Sequence, residues 1–168
     1  MSNIHNVIIR GLNSILLQAP YITEPRDQQD MILYAHALCL LIHEHHKTEE
    51  TLFFPLIEQA TGVTDIMEKN VVQHEVFAPG LHHFDTYVKQ MVNGVAKYDA
   101  KKLVGLVESF APSLTTHLTD EISTLMGLET YDINWDPVLE KAAQYAMEHT
   151  DKVGTILFAL FLPAIIFK

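Results

Sequence analysis

The sequence predicts an all-α protein, an up-down antiparallel four-helix bundle followed by a C-terminal helical extension. Apolar residues recur at helical spacing in four long stretches. Short breaks rich in Pro, Gly or Asn separate these stretches, so that successive helices should be antiparallel neighbours. With 168 residues, of which 48% are hydrophobic and 19% charged, the chain is long enough to bury one core. We place the bundle at residues 1–127 and the extension at residues 128–168.

Composition narrows the classes of partner and compartment. The formal net charge is −10 and no basic cluster is present, which argues against a nucleic-acid partner. The single cysteine, Cys39, cannot form an internal disulfide. That fits a reducing compartment, and the first residues show no pattern of a secretory signal, so we predict a cytoplasmic protein. The ten histidines are a high number for one domain, and several share a spacing.

The first helix is predicted over residues 3–18, with Ser2 or Asn3 as its N-cap. Its apolar stripe has His5 on its flank. On this local pattern alone, His5 is a partly buried histidine that hydrogen-bonds to backbone. The stripe consists of Ile4, Ile8, Leu12, Ile15 and Leu16.

The second helix, predicted over residues 27–59, carries the most informative stretch, His-His-Lys-Thr-Glu-Glu-Thr-Leu-Phe-Phe-Pro at 45–55. Within it, two i,i+4 pairs each share a helix face, so that either pair can offer an imidazole and a carboxylate to one metal ion. A single pair of this kind is more often a solvated charged face. These pairs, however, continue apolar rows, where a carboxylate is costly unless its charge is compensated. The periodicity does not choose between them; the pairs are His45 with Glu49 and His46 with Glu50.

The third helix, predicted over residues 65–93, places one histidine on its core face. That residue is His74, whereas His82 and His83 lie on the polar side and are read as surface residues. We expect Pro79-Gly80 to interrupt this helix, and Pro55 to kink or restart the second one.

The fourth helix, predicted from Asp99 to Met126, contains a second His-xxx-Glu pair, His117 and Glu121, on its buried row. Each of the four helices therefore directs one histidine inward, and two of them add a carboxylate. Without metal, these groups would be a heavy desolvation load. Two divalent cations would compensate the carboxylates, and nitrogen and oxygen ligands without a thiolate suit iron, manganese or zinc.

The predicted ligand set therefore has six members, and the residues alone leave the pair on the second helix open between His45/Glu49 and His46/Glu50. With the first of these pairs, the set is His5, His45, Glu49, His74, His117 and Glu121.

This constellation resembles the hemerythrin-like (HHE cation-binding) domain over residues 1–127, and the N-terminal His-Asn-Val-Ile-Ile-Arg-Gly-Leu-Asn-Ser-Ile resembles its fungal members. In that family the second-helix ligand histidine usually lies ten residues before the proline of the motif. The resemblance therefore selects His45, and with it Glu49.

The resemblance also implies a cofactor, namely two iron ions (Fe2+/Fe3+) joined by an oxo or hydroxo bridge, with manganese or zinc as alternatives. Carried over residue by residue, His5 and His45 would hold one iron, and His74 and His117 the other. The two glutamates, Glu49 and Glu121, would bridge them.

The chain departs from true hemerythrins at two places. Those proteins have a second histidine one turn after the third-helix histidine, where this chain has Ala78. Their fourth-helix carboxylate is an aspartate one residue further on than Glu121. The resemblance therefore implies that the second iron lacks a protein ligand and has room for water, a substrate or nitric oxide.

The function expected from these residues is binding of oxygen or nitric oxide at a non-haem di-iron centre, in sensing or in redox or iron-related defence. One alternative is a di-iron oxidase or oxygenase acting on a small organic substrate. A second alternative is a non-catalytic bundle that binds iron or a partner.

The apolar run at residues 153–167 is too short for a membrane span and contains Pro163. We expect it to pack over the bundle, with a membrane-surface contact or a homodimer or partner contact as the alternatives.

Overall fold

The computed structural model describes residues 1–149, except for the side chains of residues 142 and 146–149. This part of the chain contains helices and turns and no strand, which confirms the predicted all-α class. A π-helical turn, Glu49–Phe53, joins the second helix to the third, and short 3-10 turns follow the first and fifth helices. The helices are α1 (Ser2–Gln18), α2 (Pro25–Thr48), α3 (Phe54–Thr61), α4 (Glu68–Val92), α5 (Ala100–Gly127) and α6 (Asp136–His149).

Helices α1, α2, α4 and α5 form the bundle, and sequential neighbours run antiparallel. Along the α4–α5 seam, Lys69 pairs with Asp120 near one end and Phe84 stacks on Phe110 further along, so that rising numbers on α4 meet falling numbers on α5. The core between the helices is made of side chains at helical spacing from all four. Its largest fully buried members include Ile8, Ile15, Ile42, Phe84, Leu103, Phe110 and Leu114.

The second helical segment does not keep one α-helical register to its end. From Cys39 the buried positions step by three or four residues up to Glu49, and then by five to Phe54. Because Pro55 has no N–H group, it cannot donate to the carbonyl four residues before it. The N–H of Phe54 instead donates to the carbonyl of Glu49, five residues back. The predicted restart at Pro55 therefore takes the form of a π-helical turn, a feature that is frequent at functional sites.

The predicted interruption at Pro79-Gly80 is wrong, because α4 continues through both residues. A single proline costs the helix one hydrogen bond, and the packing of α4 against α5 compensates for it. Gly80 permits that packing: a Cβ at this position would lie 2.7 Å from the Cβ of Phe110.

The first part of the predicted extension packs on the bundle beside the π-helical turn. Leu128 is buried in a second apolar cluster with Phe54, Ile57 and Met67, and Val138 of α6 is buried where α6 contacts α3. Among residues 1–149, no helix has both the length and the apolar character needed to cross a bilayer. The apolar run at 153–167 lies outside the described residues.

Candidate metal centre

Seven side chains from the four bundle helices and the π-helical turn converge in the interior of the bundle. Six are buried, and the seventh, His45, is half-buried with a side chain only 8% exposed. They come from α1, α2, the turn, α4 and α5 in chain order. They are His5, His45, His46, Glu49, His74, His117 and Glu121.

These side chains form two groups of four that share one carboxylate. Within each group, one nitrogen or oxygen atom per residue lies within 4.8 Å of the corresponding atoms of the others. Glu49 belongs to both groups, which is the position required of a bridging carboxylate. The first group is His5, His45, Glu49 and Glu121; the second is His46, Glu49, His74 and His117.

In the first group, His5 is held by the α5 backbone. Its Nδ1–H donates to the carbonyl of Leu118 at 2.8 Å, which leaves Nε2 as the nitrogen that faces the centre. That Nε2 lies 3.0 Å from Oε2 of Glu121, without hydrogen-bond geometry. Across the group, Nε2 of His45 lies 3.1 Å from Oε1 of Glu49. His5 is thus 2% exposed and part of the centre, whereas its local sequence pattern suggested an ordinary histidine on the flank.

In the second group, His74 is oriented from outside the centre. Its Nδ1 makes a 2.5 Å hydrogen bond with Oε1 of Glu50, whose side chain is 45% exposed. Its Nε2 points inward, 3.1 Å from Nε2 of His117 and 3.6 Å from Oε2 of Glu49. Histidines that ligate metals commonly donate their second N–H to a carboxylate in this way.

His46 completes the second group from α2. Its ring lies 4.5 Å from the ring of His74 and 5.3 Å from that of His117, and Phe77 packs on it at 4.8 Å. The sequence treated His45/Glu49 and His46/Glu50 as alternatives. The structure brings three of these four side chains into the centre and places Glu50 at its outer edge.

The resemblance placed the missing ligand of the second iron at Ala78, but Ala78 does not face the second group. Ala78 is exposed on the outer side of α4. The third imidazole of this group comes from α2, as His46, rather than from α4. The sequence signal for His46 was the His-His doublet at 45–46.

Burial favours the neutral, metal-binding form of three of the imidazoles. Desolvation, with a smaller contribution from neighbouring histidines, lowers the pKa of His45 and of His46 well below the ordinary value, and lowers the pKa of His117 to about 3. Desolvation and the nearby carboxylate of Glu121 raise the pKa of Glu49 well above its ordinary value. A cation bound between these groups would stabilise the ionised carboxylate of Glu49.

Several buried atoms of the centre have no hydrogen-bond partner among residues 1–149, as expected of atoms that bind a cation. Nitrogen and oxygen atoms without a thiolate match the donor set that iron, manganese and zinc accept. The residues present therefore fit a pair of divalent cations. The unpartnered atoms are Nε2 of His5, His45 and His46 and both carboxylate oxygens of Glu49 and of Glu121. Nδ1 of His117 is also unpartnered, whereas its Nε2 is the nitrogen that faces His74.

Two pockets among the described residues lie away from Ala78. One, of about 390 Å³, lies one helical turn beyond Glu121 and is lined by residues that include Ile122, Leu125 and Trp135. The other, of about 410 Å³, lies between α3 and α6.

Comparison with known proteins agrees with this centre. The family model described as the hemerythrin HHE cation-binding domain matches residues 1–128. A fungal protein from Cryptosporiopsis sp. (strain 8999), the dimeric xanthone biosynthesis cluster protein R11, is 34% identical over 155 residues, which cover 92% of this chain and 57% of that protein. The chain thus spans little more than half the length of this relative. No solved structure matches the chain. With the family model covering most of its length, the chain belongs to the hemerythrin HHE cation-binding domain family.

Proposed function

We propose that this protein binds two iron ions in the buried centre and uses them to bind oxygen or nitric oxide, in sensing or in redox or iron-related defence. The observation that carries the proposal is Glu49, a buried carboxylate that belongs to two groups of four ligand-type side chains. A single structural ion would need one such group, so two groups joined by one carboxylate favour a dinuclear centre.

The proposed ligand sets differ between the two ions. One ion takes His5, His45, Glu121 and Glu49, and the other takes three imidazoles and Glu49. Two carboxylates on one side and three imidazoles on the other make the two positions unequal in charge. The three imidazoles of the second set are His46, His74 and His117.

Two ferrous ions, when bound, supply electrons to a small diatomic ligand. The protein's own part is to hold the ligand atoms in place and to keep water out. The backbone of Leu118 fixes the tautomer of His5, and Glu50 fixes that of His74. Burial lowers the pKa of His45, His46 and His117, so that the lone pairs of these three imidazoles are available without deprotonation.

The test is anaerobic loading with ferrous iron, followed by exposure to oxygen or to nitric oxide. We expect about two irons per chain and new charge-transfer absorption bands on exposure. Manganese and zinc are loaded in parallel to compare affinities. Failure to take up iron would refute the proposal. Iron uptake without a reaction with either gas would leave only the alternative of a non-catalytic, iron-binding bundle.

The second candidate is oxidation of a small aromatic substrate, and one observation favours it. The name of the relative associates that protein with a dimeric xanthone biosynthesis cluster. In this chain, the pocket of about 390 Å³ beside the Glu121 side of the centre is lined by Trp135 and Leu125. Oxygen consumption by the iron-loaded protein that rises with an added polyhydroxylated aromatic compound, and falls in Trp135→Ala, would support this activity. Consumption unaffected by every such compound would count against it.

A further inference from the structure

Asn70 of α4 is a fully buried amide that nothing in the described fold satisfies. It is 0% exposed, and neither its Nδ2 nor its Oδ1 has a hydrogen-bond partner among residues 1–149. Leaving a buried amide unpaired is unfavourable, and native proteins rarely do so without a functional reason. Outside the seven side chains of the centre, Asn70 is the one described side chain whose polar atoms are both buried and without a hydrogen-bond partner.

Its place in the bundle puts it next to that centre. Asn70 lies one helical turn before His74 on the same buried face of α4. Helices α4 and α5 are antiparallel, and His74 meets His117 across their seam at 3.1 Å. One turn along each helix in the corresponding direction leads to Asn70 on α4 and to Glu121 on α5, so the amide lies level with that carboxylate.

The neighbouring polar residues on α4 have other partners. Lys69 and Gln73 both bind Oδ2 of Asp120, on the partly exposed outer side of the seam. Neither oxygen of Glu121 accepts a hydrogen bond within the described residues. The unpaired amide and the unpaired carboxylate are thus both on the inner side, at the group that has only two imidazoles.

We propose that Asn70 positions the exogenous ligand of the dinuclear centre, by donating a hydrogen bond from Nδ2 to a small anion or oxygen-containing ligand bound on the Glu121 side. This inference rests on the proposed function, which supplies the centre. An amide suits the role because it stays neutral and keeps its donor at every physiological pH. A hydrogen bond to an anionic ligand in a water-poor site is stronger than one between neutral groups.

The test measures azide affinity in the iron-loaded, oxidised protein by absorption titration. Asn70→Leu keeps the volume but removes the donor, and we expect azide to bind about tenfold more weakly or worse, with about two irons still bound. The matched control is Gln73→Leu, which removes an amide next to His74 that points at Asp120; its azide affinity should equal the wild-type value. Unchanged azide affinity in Asn70→Leu would overturn the proposal.

A structural role for Asn70 predicts a different pattern. If the amide only orients Glu121, the substitution lowers iron content together with azide affinity, and the proposal is overturned. Asn70→Ala is tested beside Asn70→Leu, so that a packing defect in one variant does not decide the matter. If both variants lose iron, Asn70 serves metal loading and the proposal fails.

The metal-free protein gives a second readout. Since the amide is unpaired in the fold, Asn70→Leu should raise the Tm of the metal-free protein by about 2–4 °C, and a fall in Tm would show that Asn70 has a partner and contradict the premise. The iron content of the wild-type protein distinguishes a failure of the proposed function from a failure of the role proposed for Asn70. Wild-type protein without iron refutes the proposed function, whereas wild-type protein that binds iron and azide, with an unaffected Asn70→Leu, refutes only the role of Asn70.

Discussion

The Nε2 atoms of His74 and His117 face each other at 3.1 Å in the interior of the bundle. Because Nδ1 of His74 is hydrogen-bonded to Glu50, Nε2 of His74 carries a lone pair that points inward. Two imidazole nitrogens that bind one cation at roughly 2.0–2.1 Å, with an angle near 90°, are separated by about 3 Å. The separation of 3.1 Å is therefore compatible with two ligands of a single ion, and in the absence of an ion it is also the length of a hydrogen bond between the two rings.

His46 should be needed for full metal loading. It is the third imidazole of the second group, so His46→Ala should weaken iron binding there by more than the roughly 10- to 100-fold cost of losing an outer-shell contact. The measurement is a competition titration with a chelator. The control is His43→Ala, one turn earlier on α2, where the side chain is 45% exposed and lies beside Asp85. Tight binding of two irons by His46→Ala would show that His46 is only a packing residue.

The metal-free protein should lose stability as the pH falls below about 6.5. The folded state keeps protons off three histidines, His45, His46 and His117, whose pKa values are lowered from 6.5, so the unfolded chain binds more protons below that pH. Glu49 acts in the opposite direction, because its raised pKa makes the folded state bind more protons above 4.5. Between pH 4.5 and pH 6.5, the three histidines increase the stability as the pH rises, and Glu49 decreases it. Because the histidines outnumber Glu49, the free energy of unfolding should rise with pH by about 1 kcal/mol per unit or more.

Urea unfolding at a series of pH values checks this dependence. His117→Ala should reduce the slope, whereas the exposed pair His82→Ala and His83→Ala should leave it unchanged. Above pH 6.5 the histidine contribution no longer changes, and stability should fall as the pH rises towards the raised pKa of Glu49. A stability that increases as the pH is lowered from 6.5 to 5 would contradict the sign.

Two glycines in the bundle should respond in opposite ways to alanine. At Gly80, an added Cβ would lie 2.7 Å from the Cβ of Phe110, so Gly80→Ala should cost about 1–3 kcal/mol of stability. At Gly105, nothing lies within 4 Å of the added Cβ, so Gly105→Ala should stabilise α5 by about 0.5–1 kcal/mol. Thermal unfolding of both variants measures the difference. A Gly80→Ala variant as stable as wild type would show that α4 and α5 are further apart.

Cys39 should not react in the folded protein. It is fully buried, and burial, reinforced by the nearby Asp85, raises the pKa of its thiol to about 12. The thiolate is the reactive form, so a thiol reagent should label Cys39 only when urea unfolds the chain. Rapid labelling of the native protein would contradict the packing of α2 against α4.

Helical periodicity predicted the bundle because each buried face repeats at the same interval over several turns. It could not foresee the π-helical turn, since the extra residue after Glu49 becomes visible only when the burial of Phe54 is known. That turn follows the point where two consecutive histidines, His45 and His46, both reach the interior. A single α-helical wheel assigns them to different rows and makes them appear to be alternatives.

The sequence did not indicate which residue Glu50 contacts. It lies four residues after His46, so its pattern is that of a second ligand pair. Its partner is instead His74, a residue 24 positions away on α4. No sequence pattern pointed to Asn70 as a functional residue. An asparagine near the start of a helix is common, and only its burial and its lack of hydrogen-bond partners distinguish it.

Iron content in Glu49→Gln and Glu50→Gln tests the central claim most directly. These adjacent substitutions each remove one carboxylate charge, but Glu49 is shared by both groups, whereas Glu50 touches only the outer nitrogen of His74. After anaerobic ferrous loading, we expect about two irons per chain in wild type, close to two in Glu50→Gln and well below one in Glu49→Gln. Two irons retained in Glu49→Gln would contradict a dinuclear centre bridged by this residue.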